Sequence, residues 1–321
     1  MIQMTNTYTK YTLMLFKHRY NKETVMEIRV LRYFIAVANE ENISAASKQL
    51  HLSQPTLSRQ LKDLEMELGA TLFERGNRKI TLTDEGKYLF KKAKEIVELV
   101  DKTEASFKES KELISGEIHI GGGETEAMNF IARASKELLE HYPSIRFDLY
   151  SGNADDITSR LDSGLLDFGI VIEPTDKQKY DYIKLPATDV WGVLMRKDSP
   201  LAYKQFIQPI DLIDKPLLIS RQTAVSNEFT GWFGANIEDL NIVATYNLLY
   251  NAARMVEENI GYAFCLDKLI NTSGDSRLCF KPLNPKLEAN LNIIWKKHQV
   301  FSNAANKFLA QLRNNIKIYS S

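Results

Sequence analysis

The sequence predicts an α/β protein in which an N-terminal winged helix-turn-helix is followed by a long helix and then by a Rossmann-like domain. Three observations predict this fold class. A short alanine-rich helix is followed, after one tight turn, by a helix whose outer face is polar and basic. A stretch of helical composition then runs without Gly or Pro from Gly86 to Gly116. Beyond Ser115, strand and helix patterns alternate, which is typical of a doubly wound sheet.

The composition limits what kind of protein this is. A chain of 321 residues is long enough for two or three domains, and its net charge of +0 favours neither nucleic acid nor membrane as a whole. Two cysteines provide no disulfide framework, which fits a reducing cytosol. No apolar run approaches the ~18 residues of a membrane span. We therefore expect a cytoplasmic protein with no membrane partner.

The first 25 residues are set apart by their composition. Their apolar run is too short for a signal peptide, and its flanking residues do not suit one either. We interpret residues 1–25 as an N-terminal extension, disordered or produced by an upstream start codon. The alternative is an arm that touches DNA, because Lys17, His18, Arg19 and Lys22 are basic.

Three helices are predicted between residues 28 and 69 from their apolar spacing. The first presents Leu31, Phe34, Ile35 and Ala38 on one face, the second has Ala45, Ala46 and Leu50 with Ser44 as its cap, and the third has Leu57, Leu61, Leu64 and Leu68. Ser53 is the expected N-cap of the third helix, Pro55 suits its first turn and Gly69 suits its end.

The outer face of the third helix carries the candidate DNA-binding residues. Thr56 and Arg59 lie opposite the leucine stripe, where a hydroxyl, a methyl group and a guanidinium can reach base edges in a major groove. The full set predicted on the two helices is Ser44, Ser53, Gln54, Pro55, Thr56, Ser58 and Arg59. A surface helix with a solvated polar face is the alternative reading of the same pattern.

A charged hairpin is predicted over residues 72–83, with Gly76-Asn77 at its tight turn. Arg75, Arg78 and Lys79 would bring positive charge to phosphates beside the groove; an ordinary charged hairpin is the alternative. Between Met26 and Glu85 there are eight basic and nine acidic residues, so the net charge of this segment is −1. Phosphate contact must therefore come from a local patch and backbone amides.

The long helix predicted over residues 84–114 carries a coiled-coil pattern. Thr83 can cap it, and its apolar positions alternate steps of four and three residues: Leu89, Ala93, Ile96, Val100, Thr103, Phe107, Ser110 and Ile114. A period near 3.5 favours pairing with a second helix. We expect a linker that dimerises the chain, with packing on its own C-terminal domain as the alternative.

The C-terminal half reads as β-α-β-α-β, with strands at 117–120, 146–150 and 167–172. Further strands are predicted at 190–195, 217–220, 261–265 and 291–295, and helices at 248–258 and 303–318. Ligands bind such sheets at the carboxyl ends of the strands. The strand ends nominate Thr125, Ser151, Asn153, Ser220, Arg221, Gln222 and Cys265 as effector-binding residues. Thr125 and Ser220 are the strongest candidates, and Arg221 would favour an anionic effector.

The chain resembles the LysR-type transcriptional regulators. The resemblance rests on Leu31-x-x-Phe34, Ser44-Ala45-Ala46, Leu52-Ser53-Gln54-Pro55, Leu57-Ser58-Arg59-Gln60-Leu61, Leu64-Glu65, Leu68-Gly69, Leu72-Phe73-x-Arg75 and Leu82-Thr83-x-x-Gly86. Weaker motifs of the C-terminal half are Tyr142-Pro143, Leu161-x-x-Gly164-x-x-Asp167 and Met255-Val256-x-x-x-x-Gly261.

That resemblance implies a homodimeric or homotetrameric transcription factor that binds an inverted-repeat operator in double-stranded DNA, with RNA polymerase as a further partner. It implies a domain at residues 26–83 that binds DNA, a linker at 84–114 and an effector domain at 115–321. The effector domain would be similar to periplasmic binding proteins. Its lobe I would span about 115–187 and 288–321 and its lobe II about 188–287, with a small-molecule effector between them.

Two departures and three rival functions qualify this reading. Asn259 stands where the family commonly has Gly, and Asp267 where it often has Pro. Cys265 and Cys279 could form a redox switch, but a buried, unreactive Cys265 is the preferred interpretation. An enzyme is disfavoured because Gly121-Gly122-Gly123 is neither a dinucleotide nor a Walker loop and five His are scattered. A solute-binding protein would need export. We predict no catalytic residue, no metal and no cofactor.

Overall fold

The computed structural model describes residues 26–75, 79–108, 114–173, 175–176, 178–221, 227–234 and 237–320. The chain divides into two compact units between Lys102 and Thr103. Residues 1–25, predicted as an extension, lie outside the described residues.

The N-terminal unit is a three-helix cluster with a two-stranded wing and the first turns of a long helix. Its elements are α1 (Ile28–Glu40), α2 (Ile43–Gln49), α3 (Gln54–Leu68), β1 (Phe73–Arg75), β2 (Ile80–Leu82) and α4 (Asp84–Lys108). The strands pair antiparallel, with Phe73 opposite Leu82. The core joins Phe34 of α1 to Phe73 of the wing, with their ring centroids 5.1 Å apart. Burial of these large apolar side chains is the main stabilisation available to so small a unit.

The helix caps follow the sequence prediction at α3 and differ from it at α2. Ser53 caps α3, because its side chain accepts the Thr56 N–H, and Gly69 ends α3 in the left-handed region at φ 64°. The predicted cap of α2 is wrong. Asn42 caps that helix by accepting the Ala45 N–H at 3.0 Å, so Ser44 lies inside the helix. Asn and Ser are both good caps, and the earlier residue occupies the position with extended backbone.

Two predicted apolar faces also require correction. The buried face of α1 is formed by Val30, Leu31, Phe34 and Val37, while Ile35 and Ala38 are only partly buried. In α3, Leu57, Leu61 and Leu64 are buried, but Leu68 in the last turn is 38% exposed. The helix therefore extends past the core by about one turn.

The wing and α4 are tied together at Thr83. Its hydroxyl donates to the Thr71 carbonyl at 2.7 Å and accepts the Gly86 N–H at 2.9 Å, which confirms it as the cap of α4. The first two positions of the predicted coiled-coil pattern, Leu89 and Ala93, are buried in the core of the N-terminal unit. That part of the pattern therefore serves packing within the unit.

The C-terminal unit alternates strands and helices. Its elements are β3 (Gly116–Gly122), α5 (Met128–His141), β4 (Ile145–Ser151), α6 (Ala154–Asp162), β5 (Phe168–Ile172), β6 (Tyr180–Arg196), β7 (Leu217–Ser220), α7 (Asn227–Phe233), β8 (Ile242–Tyr246), α8 (Leu249–Glu257), β9 (Tyr262–Leu266), β10 (Leu278–Pro282), β11 (Glu288–Lys296) and α9 (Asn303–Ser320).

Strand β6 divides this unit into two lobes. The sheet order is β4-β3-β5-β11-β6-β9-β7-β8, with β10 also paired to β6. The first part of β6, through Val190, pairs with β11, and the part from Trp191 pairs with β9 and β10. We call the β4-β3-β5-β11 side lobe I and the β9-β7-β8 side lobe II. Each lobe contains parallel strands, β4-β3-β5 in one and β9-β7-β8 in the other.

The C-terminal sequence predictions were right for most elements and incomplete for others. Strand β7 has the predicted bounds, whereas the strand predicted at 190–195 is only the end of the 17-residue β6. Strands β8 and β10 and helix α7 were not predicted. Residues of β8 alternate between partly buried and exposed, and such a short strand with no fully buried position gives a weak apolar signal. In the part of the chain that the structure describes, no helix is both long and apolar enough to span a membrane.

Candidate DNA-binding surface and effector cleft

The start of α3 is a capped, exposed helix N-terminus. The Ser53 Oγ accepts the Thr56 N–H at 3.3 Å and lies 2.7 Å from the Thr56 Oγ1. Pro55 occupies the first turn, where it has no hydrogen bond to lose. The cap fixes the first turn, and Leu57 anchors it in the core at 0% exposure.

The predicted DNA-binding side chains of α3 point away from that core. Gln54, Pro55 and Thr56 are exposed, and Ser58 is partly buried. The Arg59 side chain is 84% exposed, and its Nε lies 3.9 Å from an Asp63 carboxylate oxygen, a separation that leaves the guanidinium loosely held. Thr56 and Arg59 are therefore available to a ligand outside the N-terminal unit.

The remaining predicted residues of this surface differ in their surroundings. Ser44 is exposed on α2. Lys79 is exposed and its ammonium donates to the Glu41 carboxylate at 2.5 Å, which raises the pKa of Lys79 by hydrogen bonding and charge. The Arg75 backbone pairs with Ile80 in the wing. Arg78 and the predicted Gly-Asn turn lie outside the described residues.

A cleft opens between lobe I and lobe II of the C-terminal unit. It measures about 660 Å³, counted with the part open to solvent. Its walls come from the carboxyl ends of β3, β4, β7, β8 and β9, together with β5, the start of α8 and single residues of β6 and β11. This is the place at which doubly wound sheets bind ligands, and the size suits a small molecule.

Four of the seven predicted effector-binding residues line this cleft: Thr125, Asn153, Ser220 and Cys265. Asn153 is also the cap of α6, since its side chain accepts the Asp156 N–H at 2.9 Å. Ser151 and Arg221 are exposed and are not lining residues. Gln222 lies outside the described residues.

The cleft also has lining residues that the sequence analysis did not nominate. They include Glu124, Trp191, Tyr246 and Asn247. The Glu124 carboxylate, on lobe I, accepts the backbone N–H of Leu249 at 2.5 Å, at the start of α8 on lobe II. Leu248, the N-cap residue of α8, offers no side-chain cap. An apolar N-cap was the available sequence signal that an acceptor must come from elsewhere.

Thr125 is held by a buried carboxylate. Its hydroxyl donates to Asp189 at 2.5 Å and accepts the Ala127 N–H at 3.1 Å. Asp189 is 4% exposed, and burial raises the pKa of its carboxyl group despite the Thr125 hydrogen bond. The Thr125 hydroxyl proton is thus already used in a hydrogen bond within the protein.

Cys265 lies in the cleft wall at 2% exposure, and burial raises the pKa of its thiol far above the usual range. Both cysteines are free. Tyr246 donates its hydroxyl to the Phe264 carbonyl at 2.7 Å. No group of three or more His, Cys, Asp or Glu side chains within the described ranges could hold a metal ion.

Comparison with known families covers both units. A model described as bacterial regulatory helix-turn-helix protein, lysR family, matches residues 28–87, and one described as LysR substrate binding domain matches residues 111–317. The chain belongs to the LysR family of transcriptional regulators. The predicted resemblance is confirmed, and the chain is a DNA-binding regulator with an effector-binding domain; the proteins of this family are regulators and not enzymes.

Relatives and solved structures agree with this membership. An uncharacterized HTH-type transcriptional regulator of Bacillus subtilis (strain 168), YwbI, is 30% identical over 292 residues, which cover 90% of this chain and 96% of that protein. OxyR of Escherichia coli (strain K12), a DNA-binding transcriptional dual regulator, is 31% identical over 195 residues, 60% of this chain and 63% of that relative. The crystal structure of CbnR, a LysR family regulator, has a TM-score of 0.71 at 20% identity and covers 91% of this chain and 99% of its own. CbnR complexed with its target DNA gives a TM-score of 0.69 at 20% identity, over 90% of this chain and 99% of its own.

Proposed function

We propose that this LysR-type regulator reads an inverted-repeat operator with the N-terminal half of α3, and that a small molecule in the cleft of the C-terminal unit controls the output. The single observation that carries this proposal is the capped start of α3, where Thr56 and Arg59 are exposed above buried leucines. In this scheme residues 26–83 bind DNA, 84–114 pair two chains and 115–321 bind the effector, in the bacterial cytoplasm.

Base recognition is assigned to Thr56 and Arg59. The Arg59 guanidinium can donate two hydrogen bonds to the O6 and N7 atoms of a guanine, and the Thr56 methyl group suits the C5 methyl of thymine. To contact a base, the Arg59 guanidinium must leave the Asp63 carboxylate. At a separation of 3.9 Å this exposed ion pair is weak, so breaking it costs little free energy. The amides at the start of α3 add an electrostatic contact to phosphate.

Phosphate contact is assigned to the wing through Arg75, Arg78 and Lys79. The support for Lys79 is its exposure directly before β2, at the turn end of the wing; its partner Glu41 is also exposed. A phosphate would replace the Glu41 carboxylate as the acceptor of the Lys79 ammonium. Because residues 26–85 carry nine acidic and only eight basic side chains, we expect only a few such contacts per chain and affinity that depends on pairing two chains.

The oligomer is proposed to be a homodimer or a homotetramer built on α4. Beyond Ala93, the pattern of four and three continues at Ile96, which packs partly against the core of the N-terminal unit, and at Val100, which is partly buried. Binding of the effector would alter the two lobes and thereby the spacing of the paired α3 helices, which would change contact with RNA polymerase.

Fluorescence anisotropy with the DNA upstream of the chain's own gene tests the proposal. Arg59→Ala should weaken binding to that DNA by about tenfold or more, since one bidentate base contact is worth about 1–3 kcal/mol. Arg29→Ala is the matched control. Arg29 is also an exposed arginine with a carboxylate partner, Glu27, but it lies on α1. Equal affinities of the wild-type chain and Arg59→Ala would contradict the docking proposed for α3.

A further inference from the structure

The charged lining that the structure describes is acidic. Among those residues, Glu124 is the one side chain of the types Asp, Glu, Lys, Arg and His. One carboxylate oxygen of Glu124 accepts the Leu249 N–H, and no lysine or arginine within the described part of the chain forms an ion pair with this carboxylate. The group is partly buried, so its charge is only partly screened by solvent. A carboxylate in such a place attracts a cation and repels an anion.

A second carboxyl group, that of Asp189, lies behind the lining residue Thr125. Asp189 is buried and accepts the Thr125 hydroxyl, and Thr125 itself lines the cleft. The charge of Glu126 raises the pKa of Asp189, and the charge of Lys268 lowers it. Lys268, the basic residue whose charge acts on Asp189, is exposed and is not a lining residue.

The rest of the lining is suited to an apolar or aromatic body. Trp191 is a lining residue, and its ring stacks on Phe264 with ring centroids 5.4 Å apart. Aliphatic side chains cover much of the remaining wall, namely Ile170, Val171, Ile172, Leu249, Leu266, Leu269 and Leu291. A cleft lined by apolar and aromatic residues and a carboxylate suits an organic cation, which gains from apolar contact and from the charge.

An anionic effector, which Arg221 would have favoured, meets the opposite conditions. Arg221 is exposed and lies outside the lining, and residues 222–226, which follow it, contain no Lys or Arg. The start of α8 would attract a carboxylate, but the Glu124 carboxylate already occupies it. An incoming anion would have to displace Glu124 and then lie beside it.

From this lining we infer that the effector of this regulator is a small organic cation, a protonated amine on an apolar or aromatic body, whose ammonium group pairs with Glu124. The inference rests on the proposed control by a small molecule in the cleft. Pairing of the ammonium with Glu124 would also let the protein detect a bound effector. Glu124 belongs to lobe I and holds the start of α8 on lobe II, so an ammonium that binds this carboxylate changes a hydrogen bond between the two lobes.

A matched set of probes tests the charge of the effector on the full-length chain. The probes are phenethylamine, phenethyl alcohol and phenylacetate, together with butylamine and butyrate. Thermal denaturation should show stabilisation by the amines and none by the carboxylates, with the alcohol between them. Calorimetric titration of the best amine should then lose about tenfold or more in affinity in Glu124→Gln, because a charge-assisted hydrogen bond becomes a neutral one.

Glu126→Gln is the control variant, because it removes an equal charge two residues away from a side chain that does not line the cleft. It should leave amine affinity within about twofold. Stabilisation by the carboxylates, by no amine at all, or an amine affinity unchanged in Glu124→Gln would overturn the inference. DNA binding measured in the same samples separates this failure from that of the proposed function: an Arg59-dependent affinity for DNA shows that only the effector class is wrong.

Discussion

The Glu124 carboxylate accepts the Leu249 N–H across 125 positions of the sequence, at an oxygen–nitrogen distance of 2.5 Å. It does for α8 what an N-cap side chain normally does, but from the opposite lobe. Leu248, the residue at the N-cap position, has no side-chain oxygen, so the α8 terminus depends on a residue that also lines the cleft.

Replacing Glu124 should therefore destabilise the C-terminal unit. We expect Glu124→Ala to lower the free energy of unfolding by about 1–2 kcal/mol, the usual range for loss of a helix cap. Glu124→Gln should lose less than half of that, because its amide oxygen still accepts the Leu249 N–H. Urea denaturation of the full-length variants, followed by circular dichroism, measures both.

Glu126→Ala provides the comparison, since within the described residues the Glu126 carboxylate accepts one hydrogen bond, from the exposed Asn129 side-chain amide. Its unfolding free energy should stay within about 0.5 kcal/mol of the wild type. Equal stability of Glu124→Ala and Glu126→Ala would show that the capping bond contributes nothing.

The N-terminal unit was predictable because its determinants are local. Ser53 and Gly69 mark the two ends of α3 within the sequence itself, and Thr83 marks the start of α4. Where two capping residues compete, as Asn42 and Ser44 do, the sequence pattern alone leaves the choice open and the backbone conformation decides it. The burial of Leu89 and Ala93 by their own unit was not predictable from periodicity, because a period of 3.5 looks the same for either partner.

The cleft was only partly predictable because its walls come from distant segments. Strand ends correctly indicated Thr125 and Ser220 as lining residues, since parallel strands deliver their carboxyl ends to one edge. Trp191 lies in the middle of β6, where no strand end points to it, and its position depends on how that long strand passes from one lobe to the other. No sequence pattern connected Glu124 with Leu249, because the partner residue is apolar and lies 125 positions away.

Stability should depend on pH through Asp189, with an unusual sign. Burial raises the pKa of this carboxyl group above its ordinary value of 3.8. The folded chain therefore holds this proton to higher pH than the unfolded chain, and the stability contributed below the unfolded pKa is lost as pH rises through the folded pKa. Asp189→Asn cannot ionise, so its stability relative to the wild type should improve between about pH 4 and pH 7. Thermal denaturation across that range measures the difference.

Asp211 should show the opposite dependence and serves as the control. Although burial acts to raise its pKa, hydrogen bonds from Lys204 and the Gln208 N–H lower it overall. Its contribution is present above the unfolded pKa and is lost as pH falls through the folded pKa. Asp211→Asn should therefore lose stability relative to the wild type as pH rises toward about 4, and the difference should then stay constant between about pH 4 and pH 7. The same direction of change in both variants would contradict the assignment of Asp189.

Two helical glycines should respond in opposite ways to alanine. A Cβ at Gly86 would lie 2.1 Å from the Leu72 carbonyl oxygen, a backbone atom that cannot move without opening the wing. We expect Gly86→Ala to destabilise the N-terminal unit by about 2 kcal/mol or more, a typical cost of overpacking. At Gly231 in α7 a Cβ meets nothing within 4 Å. Gly231→Ala should stabilise the chain by about 0.5–1 kcal/mol, because alanine favours the helix.

Differential scanning calorimetry of the two glycine variants provides the measurement, with the transition of each unit followed separately where they resolve. The informative quantity is the sign of each shift in Tm. A stabilising Gly86→Ala would mean that the contact between the start of α4 and the wing is loose, and the connection made by Thr83 would then need another explanation.

Cys265 should react slowly with alkylating and oxidising reagents in the folded chain. Nucleophilic attack requires the thiolate, and burial among Leu194, Leu218 and Ala263 raises the thiol pKa, so almost none is ionised at neutral pH. Cys279 is only partly buried, and the charges of Lys281 and Lys197 act to lower its pKa although burial raises it overall. We therefore expect iodoacetamide at about pH 8 to label Cys279 at least about tenfold faster than Cys265, with the difference abolished in urea. Mass spectrometry of tryptic peptides at successive times gives both rates in one sample. Rapid labelling of Cys265, or a peroxide-induced bond between the two cysteines, would instead support the redox alternative and would place the thiol within reach of solvent.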